Sequence, residues 1–177
     1  IGAGLDASIY RVGRLVGRSD DGMFQRNKHT NAFYGFVQAM MHLQTMPESL
    51  CDVAIEMTPV DECARAIVAL IDGGAPVYHV INPHPISLRV LARACGVALD
   101  PVDGEAFERH LAKTLNTVDG RVMAPLIDQY ERVKRLGGGV LEPVCADTVA
   151  ALAARGFEWA TPNVRLWLSA FLGEGGE

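Results

Sequence analysis

The stretch "IYRVGRLVGRSDDG" (residues 9–22) decides how the rest of the chain is read. Ile9 and Tyr10 open a short apolar run, which breaks into glycines, arginines and an acidic turn. A buried strand looks like this where its carboxyl end meets a ligand. Glycine lets a backbone come close, and arginine supplies a rigid fork of donors. The strand is read over Leu5–Arg11, with a long polar loop, Arg18–Thr30, behind it. Very little chain stands before this strand, so the question is which sheet it completes.

Working outward, Phe33, Phe36, Val37, Met40 and Met41 recur at helical spacing, which predicts an amphipathic helix from Asn31 to about Gln44, ended by Pro47. Val53–Met57 reads as a short strand. Then "MTPVDECARAIVALIDGG" (residues 57–74) carries the clearest punctuation in the chain. Thr58 suits an N-cap, Pro59 the first helical position, and Asp61 stands three residues on, as in a capping box. Val60, Cys63, Ala64, Ile67, Val68 and Ile71 are expected to form the buried stripe, with Glu62, Arg65 and Asp72 off it and Gly73-Gly74 at the end. "PVYHVINP" (residues 76–83) predicts another strand, turned by Asn82-Pro83.

From Ser87 onward the pattern is helical. Ser87 caps one helix that stops at Gly96, Val97–Val102 is read as a short strand, and Asp103 starts another helix. Further helices are read over Val122–Leu136, with Pro125 in its first turn or at a kink, over Ala146–Arg155, and after Thr161-Pro162. Gly137-Gly138-Gly139 is read as a hinge or loop, and residues 173–177 as a disordered tail.

Composition bounds the partners. The 177 residues are 49% hydrophobic and 21% charged, with a formal net charge of −5 and no basic run. That argues against nucleic acid and against a membrane surface, and the apolar runs fall short of the roughly 20 residues that span a bilayer. Cys51, Cys63, Cys95 and Cys145 have no metal-ligand spacing and read as free thiols in a reducing, cytoplasmic setting. His42, His84 and His110 converge with nothing, so no metal site is expected. Tyr130–Lys134 has Tyr-x-x-x-Lys spacing inside a helix and is read as an ordinary helical pair.

A few isolated strands cannot make a covered parallel sheet by themselves, so they read as the last strands of a larger one. In order and spacing, "IYRVGRLVG", "MTPVDECARAIVAL" and "YHVINPHPISLRVL" resemble the C-terminal half of a thioester reductase domain. These domains are extended short-chain dehydrogenase/reductases of nonribosomal peptide synthetases, polyketide synthase hybrids and carboxylic acid reductases. The resemblance runs from about Leu5 to Leu172. It implies an α/β fold, the last strands of a Rossmann-like parallel sheet plus a mostly helical substrate-binding lobe. Residues 1–86 would hold the sheet elements with an inserted loop and helix, and 87–172 the lobe.

The resemblance also implies function. Such domains use NADPH to release an acyl or peptidyl group, held as a thioester on the phosphopantetheine arm of a carrier protein within a multidomain synthetase, as aldehyde or alcohol. The family's Gly-x-x-Gly-x-x-Gly loop, catalytic threonine and Tyr-x-x-x-Lys stand ahead of the opening strand, so no catalytic residue is expected in these residues and the chain alone is expected to be inactive.

Arg11, Val12 and Gly13 would border the cofactor. Arg14, Asn27, Lys28 and Asn82 would face substrate, with Arg26 or Lys28 available to an acidic carrier protein. The family usually reads Arg-Pro-Gly-Asn here, so Val12 and Arg14 depart from it. Arg11 can equally pair a carboxylate, Gly13 can serve a tight turn, and Thr58 with Asp61 can serve capping alone. Three other functions fit the same residues: a redox-silent relative that cyclises its substrate, an extended reductase acting on a nucleotide sugar or small metabolite, and a docking module for a carrier protein.

Overall fold

The opening strand is present but short: β1 covers Ile9–Val12 in a computed structural model that describes residues 7–135 and 144–172. The chain continues through β2 (Leu15–Val16), a 3-10 turn (Lys28–Thr30), α1 (Ala32–Leu43), β3 (Thr45–Pro47), α2 (Glu48–Cys51), β4 (Ala54–Ile55), β5 (Thr58–Pro59) and α3 (Val60–Leu70). Then come β6 (Val77–Val80), β7 (Ile86–Ser87), α4 (Leu88–Ala94), β8 (Asp100–Val102), α5 (Gly104–Leu115), α6 (Gly120–Arg135), α7 (Ala146–Ala153) and α8 (Val164–Leu172). The expected strand start at Leu5, the helix end at Leu136, the Gly137–Gly139 hinge and the tail lie outside the described residues.

The described residues form two units that interleave along the chain. One takes its members from within residues 1–24, 56–85 and 142–170, the other from within 25–55, 86–141 and 171–177. In the first, β1 runs parallel to β6, Ile9 opposite Val77 and Val12 opposite Val80. β2 runs parallel to β5, with Leu15 opposite Thr58. Its core joins α3, β6 and α7 through Cys63, Ala66, Leu70, Tyr78, Val80 and Leu152, with Trp159 closing it. Tyr10 stacks on Tyr78 at 5.5 Å across the two strands. In the second unit β3 and β8 pair in parallel and β4 and β7 antiparallel. There α1 packs on α6. Pro125 lies within α6, and its ring fits where Gly35 of α1 has no side chain: a Cβ at 35 would come within 2.8 Å of it.

Helix starts follow the sequence where a cap meets no competitor. The Asn31 side chain accepts from the Phe33 and Tyr34 amides, Ser87 from Val90, and Asp103 from Ala106. Two expected caps are corrected. Before α3 the N-cap position is Pro59, with no side-chain cap. Thr58 is fully buried and pairs in the β2–β5 ladder, its amide donating to the Arg14 carbonyl at 2.9 Å. Asp61 instead accepts from the Ser19 amide at 2.9 Å and the Ser19 hydroxyl at 2.6 Å. A tertiary pair of donors has outbid the local cap. At α8 it is Asn163, not Thr161, whose side chain accepts from the Leu166 amide, at 3.1 Å.

The buried stripe of α3 is also rotated from the expected one. Glu62, Cys63, Ala66 and Leu70 face the core, while Val60, Val68 and Ile71 are exposed, the last two at 67% and 61%. Glu62 tolerates burial because the Ala160 amide donates to it and because a first-turn carboxylate meets the positive end of the helix dipole. Burial still pushes its pKa up.

Leu70→Ala empties a fully buried position of the first unit and should cost about 2–5 kcal/mol, read as a fall in the urea midpoint. Burial works against ionisation of Asp61, but the two Ser19 hydrogen bonds prevail and its pKa is lowered. Asp61→Ala should therefore cost about 1–3 kcal/mol at neutral pH. A lowered folded-state pKa means stability present above the unfolded value and lost as the acid is protonated. The penalty should accordingly shrink as unfolding is repeated at pH values falling through and below 3.8, the ordinary value of the group.

Candidate functional site

Within the first unit, parallel pairing brings the carboxyl ends of β1 and β6 and the β2–β5 ladder to one edge. In open α/β sheets that is where ligands bind. Gly13 extends the β1–β6 ladder, its amide donating to the Val80 carbonyl at 3.1 Å. Directly over Gly13 lies the carboxylate of Glu56, where a Cβ would collide with it. Gly13 is needed for this close approach; the chain turns at positive φ elsewhere, as at Gly22.

The Glu56 carboxylate accepts two hydrogen bonds, Oε2 from the Arg14 amide and Oε1 from the Thr58 hydroxyl. The same hydroxyl oxygen accepts from the Asn82 amide at 2.9 Å. One chain of hydrogen bonds thus links the end of β1 to the segment before β5 and the residue just beyond β6. Burial pushes the pKa of Glu56 up, and the hydrogen bonds from Thr58 and Arg14 offset part of that rise. A desolvated carboxyl with fixed partners at a strand-end edge is the usual electrostatic mark of a functional site.

The predicted site residues fall as follows. Arg11, Val12 and Arg14 are exposed at this edge, Val12 at 45%. Asn82 reaches the same edge but is buried, its side-chain amide donating to the Ala160 carbonyl at 2.9 Å and its Oδ1 accepting from the His84 amide at 2.9 Å. Asn27 and Lys28 belong to the other unit, Asn27 bonded to Thr30 at 3.3 Å and Lys28 over the Tyr34 ring at 5.8 Å. The sequence reading passed over Glu56. In sequence it is one acid between two apolar residues, Ile55 and Met57, ahead of Thr-Pro, and the burial of those neighbours that marks it shows only in the fold.

Other chemistry falls away on geometry. Tyr130 and Lys134 both donate to Glu108 Oε1, at 3.0 and 2.8 Å. Burial, and next the carboxylate, raise the Tyr130 pKa, the reverse of what a lysine-activated tyrosine needs. The four thiols are free, and burial pushes all of their pKa values up, Cys95 to about 11, so none is a ready thiolate. Among the described residues no group of three His, Cys, Asp or Glu is placed to hold a metal ion. A cavity of about 50 Å³ between β2, β5 and the start of α8, lined in part by Ser19, Met57, Pro162 and Trp167, has room for a few water molecules.

An NAD-binding family model described as "Male sterility protein" matches residues 2–67, which include both the strand-end stretch and the start of α3. Curated protein sequences give no match. Solved structures do. A thiolation–reductase di-domain from an archaeal nonribosomal peptide synthetase is 28% identical, with a TM-score of 0.77 over 96% of this chain and 36% of its own. The reductase domain of the aureusimine biosynthetic cluster is 23% identical, with a TM-score of 0.75 over 94% of this chain and 44% of its own. The terminal R domain of the myxalamid PKS-NRPS pathway is 22% identical, with a TM-score of 0.70 over 95% and 44%. The chain therefore spans well under half the length of these solved chains. The family model agrees with the resemblance carried by the sequence over residues 2–67, and in fold, over most of its length, this chain matches the reductase domains of the solved synthetases.

Proposed function

We propose that this chain is the substrate-binding, C-terminal portion of an NADPH-dependent thioester reductase domain that releases a carrier-bound acyl or peptidyl group as aldehyde or alcohol. The observation that carries this reading is the strand-end edge, where Arg11, Val12 and Arg14 stand exposed beside the half-buried Glu56 and its hydrogen-bonded partners, the buried Thr58 and Asn82. The 28% identity to a thiolation–reductase di-domain over nearly the whole chain supports it. In this reading the sheet elements within residues 1–86 border the cofactor and the helices within 87–172 line the acyl channel, a division of labour distinct from the two interleaved units. The partners are an acyl or peptidyl carrier protein and the rest of a cytoplasmic multidomain synthetase.

The residues fit one end of the cofactor. Exposed Val12 gives an apolar surface for a nicotinamide ring, and the Val12–Gly13 backbone is held rigidly beside it. The Gly-x-x-Gly-x-x-Gly pattern does not occur in the 177 residues. Bound NADPH supplies a hydride to the thioester carbonyl; the carbon–sulfur bond breaks, the thiol leaves with a proton, and an aldehyde results, which a second reduction turns into alcohol. Against that chemistry Val12 and Gly13 orient the ring, and Arg14 offers a guanidinium to a phosphate of the pantetheine arm. The proton donor for the developing alkoxide is supplied by residues outside this chain.

Incubating a reductase-length protein that contains this chain with a phosphopantetheine-bound acyl thioester and NADPH should consume NADPH and yield aldehyde or alcohol. Release of a cyclised product with NADPH untouched would instead establish the redox-silent cyclase. The 177 residues alone should bind NADPH with a Kd weaker than about 1 mM in a fluorescence titration, because the phosphates lack their loop. Micromolar binding would refute the assignment of this chain to the nicotinamide edge.

A further inference from the structure

Glu56 is a costly residue to place where it is. Glu56 is half-buried, and a carboxylate that loses part of its hydration needs fixed donors to offset the loss. The two donors it has come from segments that meet at one edge, the backbone amide of Arg14 and the hydroxyl of Thr58. Thr58, fully buried, is itself pinned by the Asn82 amide. The Arg14 carbonyl in turn accepts from the Thr58 amide at 2.9 Å, so Arg14 is held through both sides of its backbone. The absent side chain at Gly13 is what lets the carboxylate lie across the chain. Hydrophobic burial does not explain this arrangement, since an apolar residue of similar size would fill the space without the desolvation.

We propose that Glu56 is the positioning residue of the strand-end site, clamping the Val12–Arg14 backbone through the Arg14 amide and the Thr58 hydroxyl so that a nicotinamide-bearing ligand meets it in one orientation. The clamp stands on this chain's own geometry; only the identity of the ligand rests on the function proposed above. Charged and titratable groups act on Glu56 or feel it from three directions: Arg14 beside it, Cys63 on α3 and Cys145 ahead of α7. Both thiol pKa values are raised from the ordinary 9.0, so neither titrates with a carboxyl. Glu62 is the more deeply buried carboxyl of this unit, answering to Arg65, Asp61 and His84, and the Glu56→Gln variant separates the two.

The test is by NMR on the full chain. In the unaltered protein the Arg14 amide shift should titrate with the same midpoint as the Glu56 side-chain carbon, above the ordinary 4.5. In Glu56→Gln that titration should vanish from Arg14. Exchange of the Arg14 amide should speed up about tenfold, as expected for loss of one charge-assisted hydrogen bond, while Ile9–Val12 keep their protection. Thr58→Val should loosen Arg14 in the same direction and Thr58→Ser should restore it. An Arg14 shift that stays flat through the Glu56 titration of the unaltered protein overturns the clamp, whether or not the variants fold. In the reductase-length protein, a clamp that behaves as expected with an Arg14 shift unmoved by NADPH would uphold the clamp and overturn the cofactor reading.

Discussion

A carboxylate partly withdrawn from water needs hydrogen-bond donors that cannot move off, and Glu56 finds one on its own segment, Thr58, and one on a distant segment, the Arg14 amide. Its partners, Arg14 and Thr58, and the residue behind Thr58, Asn82, stand 42, 2 and, from Thr58, 24 positions away along the chain. The Thr58 contact is local, whereas the Arg14 and Asn82 contacts join segments 42 and 24 residues apart and so depend on the pairing of the strands. Conversely, once they form, the two short ladders are tied into a single edge. A hydrogen bond to an ionised group contributes on the order of 1.5–3 kcal/mol, so two of them balance a substantial part of the cost of desolvation. The residue types nearby follow from this demand: no side chain at 13, a hydroxyl at 58, and an asparagine at 82 whose own amide groups are used internally.

Much of the fold could be read in the sequence because its signals are local. Asn31, Ser87 and Asp103 cap the helices expected of them, since each side-chain oxygen sits within three residues of the amide it serves and meets no other donor. The same logic misplaced Thr58 and Asp61. Their spacing is that of a capping box, but Ser19 and Asn82, 42 and 24 residues away, offer better-fixed partners. Spacing records which contacts are geometrically open to a residue, while the folded chain decides among them by what else arrives. The rotation of α3 has a similar cause. Apolar side chains occupy more than half of its circumference, so periodicity alone could not choose between the face of Cys63 and Leu70 and the face of Val68 and Ile71.

The candidate site was half legible. Strand-end position and residue type pointed to Arg11 through Arg14 and to Asn82, and the parallel pairing gathers those residues at one edge. Asn27 and Lys28 were joined to them by resemblance, and they lie in the other unit. Glu56 escaped notice because an acid near a strand end is ordinarily a solvated residue. What marks it is its setting among buried neighbours, a property of three dimensions. Tyr130 and Lys134 make the complementary point. Spacing alone mimics a catalytic pair, and one carboxylate, Glu108, turns it into a structural cluster with the wrong effect on the phenol.

Among the described residues β1 is paired along one side only, with β6, and two of its four residues, Ile9 and Val12, are large, apolar and exposed. Among the described residues no strand pairs with its other side, and a row of amide and carbonyl groups of that kind is a template for adding another strand. The apolar outer face of α3 adds surface that water wets poorly. Polypeptides with such edges and faces tend to adhere to one another as concentration rises, and a charge at the position of Ile9 would oppose that tendency.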